Sequence, residues 1–98
     1  MDYRIIWTRS ALEDLRDLVR YIAADDPIAA QRFGKAIIRR VEGLARFPRI
    51  GRVVPEIGDD LTRELILAPY RIVYGLGDDA EEIAVIRVWH GARGEPEL

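Results

Sequence analysis

The chain has 98 residues, 49% of them hydrophobic and 33% charged, enough at this length to bury roughly 65% of its extended surface in one modest core. That composition excludes global disorder, and the absence of cysteine excludes a disulfide framework and thiolate chemistry. A single histidine without cysteine argues against a zinc site, so neither metal nor cofactor is expected.

No apolar run approaches the roughly 20 residues of a membrane span, and Met1-Asp2-Tyr3-Arg4 lacks the basic-then-apolar layout of a signal peptide. A cytoplasmic protein with no membrane partner is expected. The net charge of −2 conceals a segregation. Between Ile28 and Arg52 lie seven basic residues and one acid, Glu42, while the stretch from Leu76 to Leu98 carries a net charge of −4. Arginine supplies every base except Lys35; its planar fork suits phosphate and carboxylate.

Tyr3 to Trp7, aromatic and β-branched, reads as a strand. Ser10-Ala11-Leu12-Glu13 matches a capping box, and apolar residues at 12, 15, 18, 19 and 22 define one face of a helix ending near Asp25. Asp26-Pro27 restarts a helix, with aspartate as cap and proline at the first helical position. Its buried stripe runs through residues 30, 33, 37, 41 and 44, and Phe47-Pro48 closes it. Gly34 in mid-helix fits a close crossing in an antiparallel helical hairpin.

Residues 48–61 read as irregular. Three strands follow, at Arg63–Leu67, Tyr70–Leu76 and Glu82–Trp89. Ala68-Pro69 and Gly77-Asp78-Asp79-Ala80 form the turns of an antiparallel meander. The tail beyond Gly91, residues 92–98 in particular, is expected to fray. The predicted fold class is α+β, in the order β-α-α-β-β-β. It forms a single domain over residues 1–98, with an antiparallel sheet packed on the helix pair. Leu15, Leu18, Ile22, Phe33, Ile37, Val41, Leu65, Ile72, Tyr74 and Val85 are its predicted core. The first strand is an expected sheet edge, open to an added strand, and the hairpin offers a groove for an amphipathic helix.

Few residues carry chemistry. Arg71 stands in mid-strand among apolar neighbours, where it either reaches the solvent face, pairs with Glu64 or Glu82 across strands, or serves a function. His90 ends the last strand, a place where histidine is commonly a surface or capping residue, yet Arg93 follows it and Arg63 and Arg71 lie on neighbouring strands. Arg71, His90, Arg63 and Arg93 would suffice chemically for ribonucleolytic cleavage if their side chains converged. Arg32, Lys35, Arg39, Arg40 and Arg46 mark a basic helix face, either merely solvated or docked on nucleic acid or an acidic partner segment.

Three groups of residues, in this order, resemble the RelE/ParE superfamily of type II toxin–antitoxin toxins over nearly the whole chain. They are Tyr3–Trp7 followed by Ser10–Leu15; Leu44-Ala45-Arg46-Phe47-Pro48-Arg49-Ile50-Gly51; and Arg63-Glu64-Leu65, Tyr70–Tyr74 and Ile86–Arg93. The resemblance implies a small toxin, a plasmid-stabilisation role and a cognate antitoxin that neutralises it. It implies no sequence-specific DNA binding by the toxin alone. RelE-like members cleave mRNA on the ribosome; ParE-like members inhibit DNA gyrase and are not nucleases. Arg71 matches the mid-strand arginine of RelE-like sites, but no tyrosine follows Tyr74 and no lysine follows the helices. Phe47-Pro48 with Gly51, and His90 with Arg93, lean towards ParE. Gyrase is therefore the expected target, with the ribosome and its mRNA as the alternative and a non-toxic antitoxin-binding member as a second. The chain is an enzyme, a ribonuclease, only on the RelE-like alternative.

Overall fold

A computed structural model describes residues 2–77 and 81–98. The elements are β1 (Arg4–Trp7), α1 (Arg9–Ala23), α2 (Pro27–Glu42), β2 (Arg52–Val53), β3 (Thr62–Leu67), β4 (Tyr70–Leu76) and β5 (Glu82–His90). Short 3-10 turns follow α2 at Gly43–Ala45 and β5 at Gly91–Arg93. The turn expected over residues 77–80 lies outside the described residues from 78 to 80.

Thr8, not Ser10, caps α1. Its hydroxyl accepts from Ala11 N at 3.1 Å and donates to the Ile86 carbonyl at 3.0 Å. This second bond ties the helix to β5 and overrides the local capping box. Leu18 is buried, with Leu15, Val19 and Ile22 against the core, whereas Leu12 is exposed. Asp26 caps α2 as expected, accepting from Ala29 N at 3.0 Å with Pro27 behind it. Ala30, Ile37, Val41 and Leu44 are buried and Phe33 is half-buried, but α2 ends at Glu42, earlier than the Phe47-Pro48 boundary. A Cβ on Gly34 would stand 3.3 Å from Val19 Cγ2, so the glycine marks the close helix crossing.

The sheet order is β1-β5-β4-β3-β2. The β3-β4-β5 meander forms with the expected order. Two features depart from expectation. β1 runs parallel to β5, from Arg4↔Glu82 to Trp7↔Val85, because the chain between them reverses through the helical hairpin and then through β2, β3 and β4, so that β5 returns in the direction of β1. β2, two residues long, pairs with β3 in a stretch read as irregular.

A bulge between Val73 and Tyr74 inserts Ile86 into β5, since Val73 opposes Arg87 while Tyr74 opposes Val85. It carries the inward-facing positions of β5 from Ile83 and Val85 to Val88 and His90. Ile72, Tyr74, Ile83, Val85 and Val88 thus share the helix side with Leu65. Arg71, Val73, Arg87 and Trp89 take the outer face. The tail beyond Gly91 makes contacts with β5. Glu97 O accepts from Arg87 Nη1 at 2.8 Å, Gly94 O accepts from Trp89 Nε1 at 3.1 Å, and Pro96 is buried. No helix among the described residues is long and apolar enough to cross a membrane.

Candidate functional site

The outer face is organised around two carboxylates. Glu64, on β3, is 1% exposed and accepts from Arg52 Nε at 2.7 Å, Arg71 Nε at 2.7 Å and Arg71 Nη2 at 3.3 Å. Glu56, just beyond β2, accepts from Arg71 Nη1 at 2.8 Å and Nη2 at 2.7 Å. Gly94 O takes a longer contact from Nη1, at 3.4 Å. The guanidinium of Arg71 is therefore clamped along both its Nε and its Nη edges. These carboxylates, Glu56 first, push the Arg71 pKa up. Hydrogen bonds from Arg71 hold Glu56 down at about 2. Of the two partners offered for Arg71, Glu64 is the one used, whereas Glu82 pairs with Arg4.

Beside this clamp lies Trp89, opposite Arg71 in the ladder. Arg93 sits 3.9 Å and Arg87 4.8 Å from its ring centroid. Arg87 is itself fixed by Asp14 of α1, at 2.8 Å through Nε and 3.0 Å through Nη2, and Asp14 also accepts from Val88 N at 2.9 Å. The carboxylate of Asp14 raises the Arg87 pKa.

His90 is on the helix side. It opposes Tyr70 and meets that ring edge-on at 5.1 Å, and Tyr70 in turn packs 5.4 Å from Phe33 of α2. Its Nδ1 accepts from Ala92 N at 3.0 Å, a capping bond for the turn that follows. Arg63 also leaves the sheet on the helix side. It donates to Asp60 Oδ1 at 2.7 Å, Asp60 O at 3.0 Å, Gly51 O at 2.9 Å and Arg49 O at 3.3 Å. The structure thus brings Arg71 and Arg93 together around Trp89, sets Arg93 and His90 along one hollow with Asp14 and Tyr70, and leaves Arg63 elsewhere. Glu56 lies in the stretch that reads as irregular and carries no signal in the sequence, whereas Asp14, Arg87 and Trp89 stand in it only within the motifs of the family resemblance.

This sheet-and-hairpin architecture has a match at family level. A sequence model described as the ParE toxin of the type II toxin–antitoxin system, parDE, matches residues 5–94. The chain belongs to this family of toxins. A candidate toxin of Sinorhizobium fredii (strain NBRC 101917 / NGR234), Y4kP, is 38% identical to this toxin over 97% of the chain and 95% of the relative. Toxin RelE2 of Caulobacter vibrioides (strain ATCC 19089 / CIP 103742 / CB 15) is 33% identical over 92% and 97%. Among solved structures, a chain of the chromosomal ParDE system of P. aeruginosa superposes with a TM-score of 0.72 at 23% identity, covering 90% of this toxin and 95% of that chain. The RelBE2 toxin–antitoxin complex of Mycobacterium tuberculosis gives 0.67 at 24%, covering 92% and 99%. These structural likenesses show a shared fold.

The basic face read from the sequence lies on the exposed side of α2 and the turn after it. Arg32, Lys35, Arg39, Arg40 and Arg46 are all exposed, and none forms an ion pair among the described residues. Arg39 and Arg40 line one hollow together with Phe47 and Ile50.

Proposed function

We propose that this toxin arrests growth by docking on DNA gyrase in the cytoplasm, without cutting a phosphodiester bond, and that a cognate protein antitoxin neutralises it. The commitment of Arg71 to Glu56 and Glu64 carries this reading. A general acid and a charge stabiliser must reach the same phosphate. Here the arginine is spent on two carboxylates on one face of the sheet, and His90 caps a turn on the other. The exposed arginines of α2 suit acidic side chains of the antitoxin.

Ribosome-dependent mRNA cleavage is the second reading, favoured by the likeness to toxin RelE2 and by Arg93 and Arg71 flanking Trp89. Purified toxin in a gyrase supercoiling assay and in a ribosome-programmed mRNA cleavage assay separates the two. Inhibition of supercoiling without cleavage supports docking; cleavage without inhibition overturns it. Neither activity, with antitoxin binding intact, indicates a silent family member.

A further inference from the structure

The two edges of the sheet are not alike. β1 closes one edge. At the other, β2 reaches β3 only through Arg52↔Glu64 and Val53↔Arg63, while β3 runs on to Leu67. Before Arg52 the chain bends to the helix side, where Tyr74 OH accepts from Gly51 N at 3.0 Å and donates to Pro48 O at 2.8 Å.

Antiparallel pairing turns the backbone groups of alternate residues towards alternate neighbours. Val54 N donates to Thr62 O at 3.1 Å, so Thr62, Glu64 and Ile66 present their backbone to the β2 side. Ile66 therefore offers an N–H and a C=O where β2 no longer runs. Beside it opens a hollow of about 180 Å3, lined by Arg39, Arg40, Gly43, Phe47, Ile50 and Leu65. Phe47 is 59%, Ile50 68% and Ile66 44% exposed. An open edge, an apolar seat and a basic rim thus adjoin one another.

We propose that this ledge receives an extended segment of the antitoxin. The segment pairs through its backbone with Ile66, seats an apolar side chain against Phe47 and Ile50, and sets carboxylates against Arg39 and Arg40. This rests on the reading that a protein antitoxin neutralises the chain, and it moves the added strand from the β1 edge to the opposite end of the sheet. A second copy of the toxin fits poorly, because a two-fold contact sets the same arginine-rimmed patch against itself.

The test compares amide hydrogen exchange in the free toxin and in the purified complex with the antitoxin encoded beside its gene. The Ile66 amide exchanges freely in the toxin alone and slows by about 100-fold or more in the complex, while β1 amides do not change. Ile50→Asp and the double change Arg39→Glu, Arg40→Glu each weaken the complex about tenfold or more, the latter most at low salt. Ile6→Asp, at the β1 edge, leaves affinity within about twofold. All these residues are exposed, and unchanged melting temperatures verify folding. A complex that forms with Ile66 exchange unaltered and affinity insensitive to Ile50→Asp overturns the ledge while leaving the antitoxin reading intact. Absence of any complex overturns both.

Discussion

Arg71 and His90 stand one pair apart in the β4–β5 ladder, Arg71 opposite Trp89 and His90 opposite Tyr70, so their side chains leave the sheet on opposite faces. Arg71 is accordingly a structural clamp. Arg71→Ala leaves the buried Glu64 carboxylate with Arg52 as its one remaining side-chain donor among the described residues, and should lower unfolding free energy by about 3 kcal/mol. Urea unfolding monitored by circular dichroism checks this. Loss of toxicity in the variant should track its loss of folded protein; lost toxicity with an unchanged unfolding midpoint contradicts the clamp.

The same clamp predicts a direction of acid sensitivity. Arg71, followed by backbone hydrogen bonding, lowers the Glu56 pKa from 4.5 to about 2. A carboxylate with a depressed folded-state pKa contributes its full stability above pH 4.5 and loses it as pH falls towards 2. Asp60 is lowered as well, chiefly by Arg49. The melting temperature should be level above that range and fall below it. Glu56→Gln should lower the plateau and flatten the acid limb, and a limb of unchanged steepness counts against the pairing.

Gly51 is held by space rather than by backbone conformation. A Cβ there would lie 2.6 Å from the Glu64 carbonyl oxygen and 2.6 Å from the Tyr74 hydroxyl. Gly51→Ala must push the 48–51 turn away from both and break the bonds of Tyr74 to Gly51 N and Pro48 O. A loss of about 1–3 kcal/mol is expected on thermal or urea unfolding, and a neutral substitution contradicts the packing described.

Core truncation gives the reference against which these effects are read. Ile37 is fully buried and Leu18 nearly so. Ile37→Ala and Leu18→Ala should each cost about 2–5 kcal/mol, whereas Leu12→Ala on the exposed side of α1 should cost little.

Much of this architecture was legible in the chain because periodicity and burial agree. The stripe at residues 30, 37, 41 and 44 and the cap at Asp26 needed only local rules. The failures arose where a distant contact decides. Thr8 took the cap from Ser10 through its bond to Ile86, 78 positions away. β2 formed because β3 offered an edge, not because Arg52-Val53 prefers a strand. The parallel pairing of β1 follows from topology. At the site, the sequence offered Glu64 as a partner for Arg71, but it gave no sign that Glu56 would close the clamp from an irregular segment. Nor did spacing alone show that a bulge at Ile86 would leave His90 on the helix side.

The central claim is tested most directly by titrating purified toxin into a DNA gyrase supercoiling reaction, with ribosome-dependent mRNA cleavage followed in parallel on the same preparation. The account predicts inhibition of supercoiling at micromolar toxin and no cleavage. Undiminished supercoiling, together with mRNA cleavage that falls by about 100-fold on Arg71→Ala or His90→Ala while the variants stay folded, would contradict it.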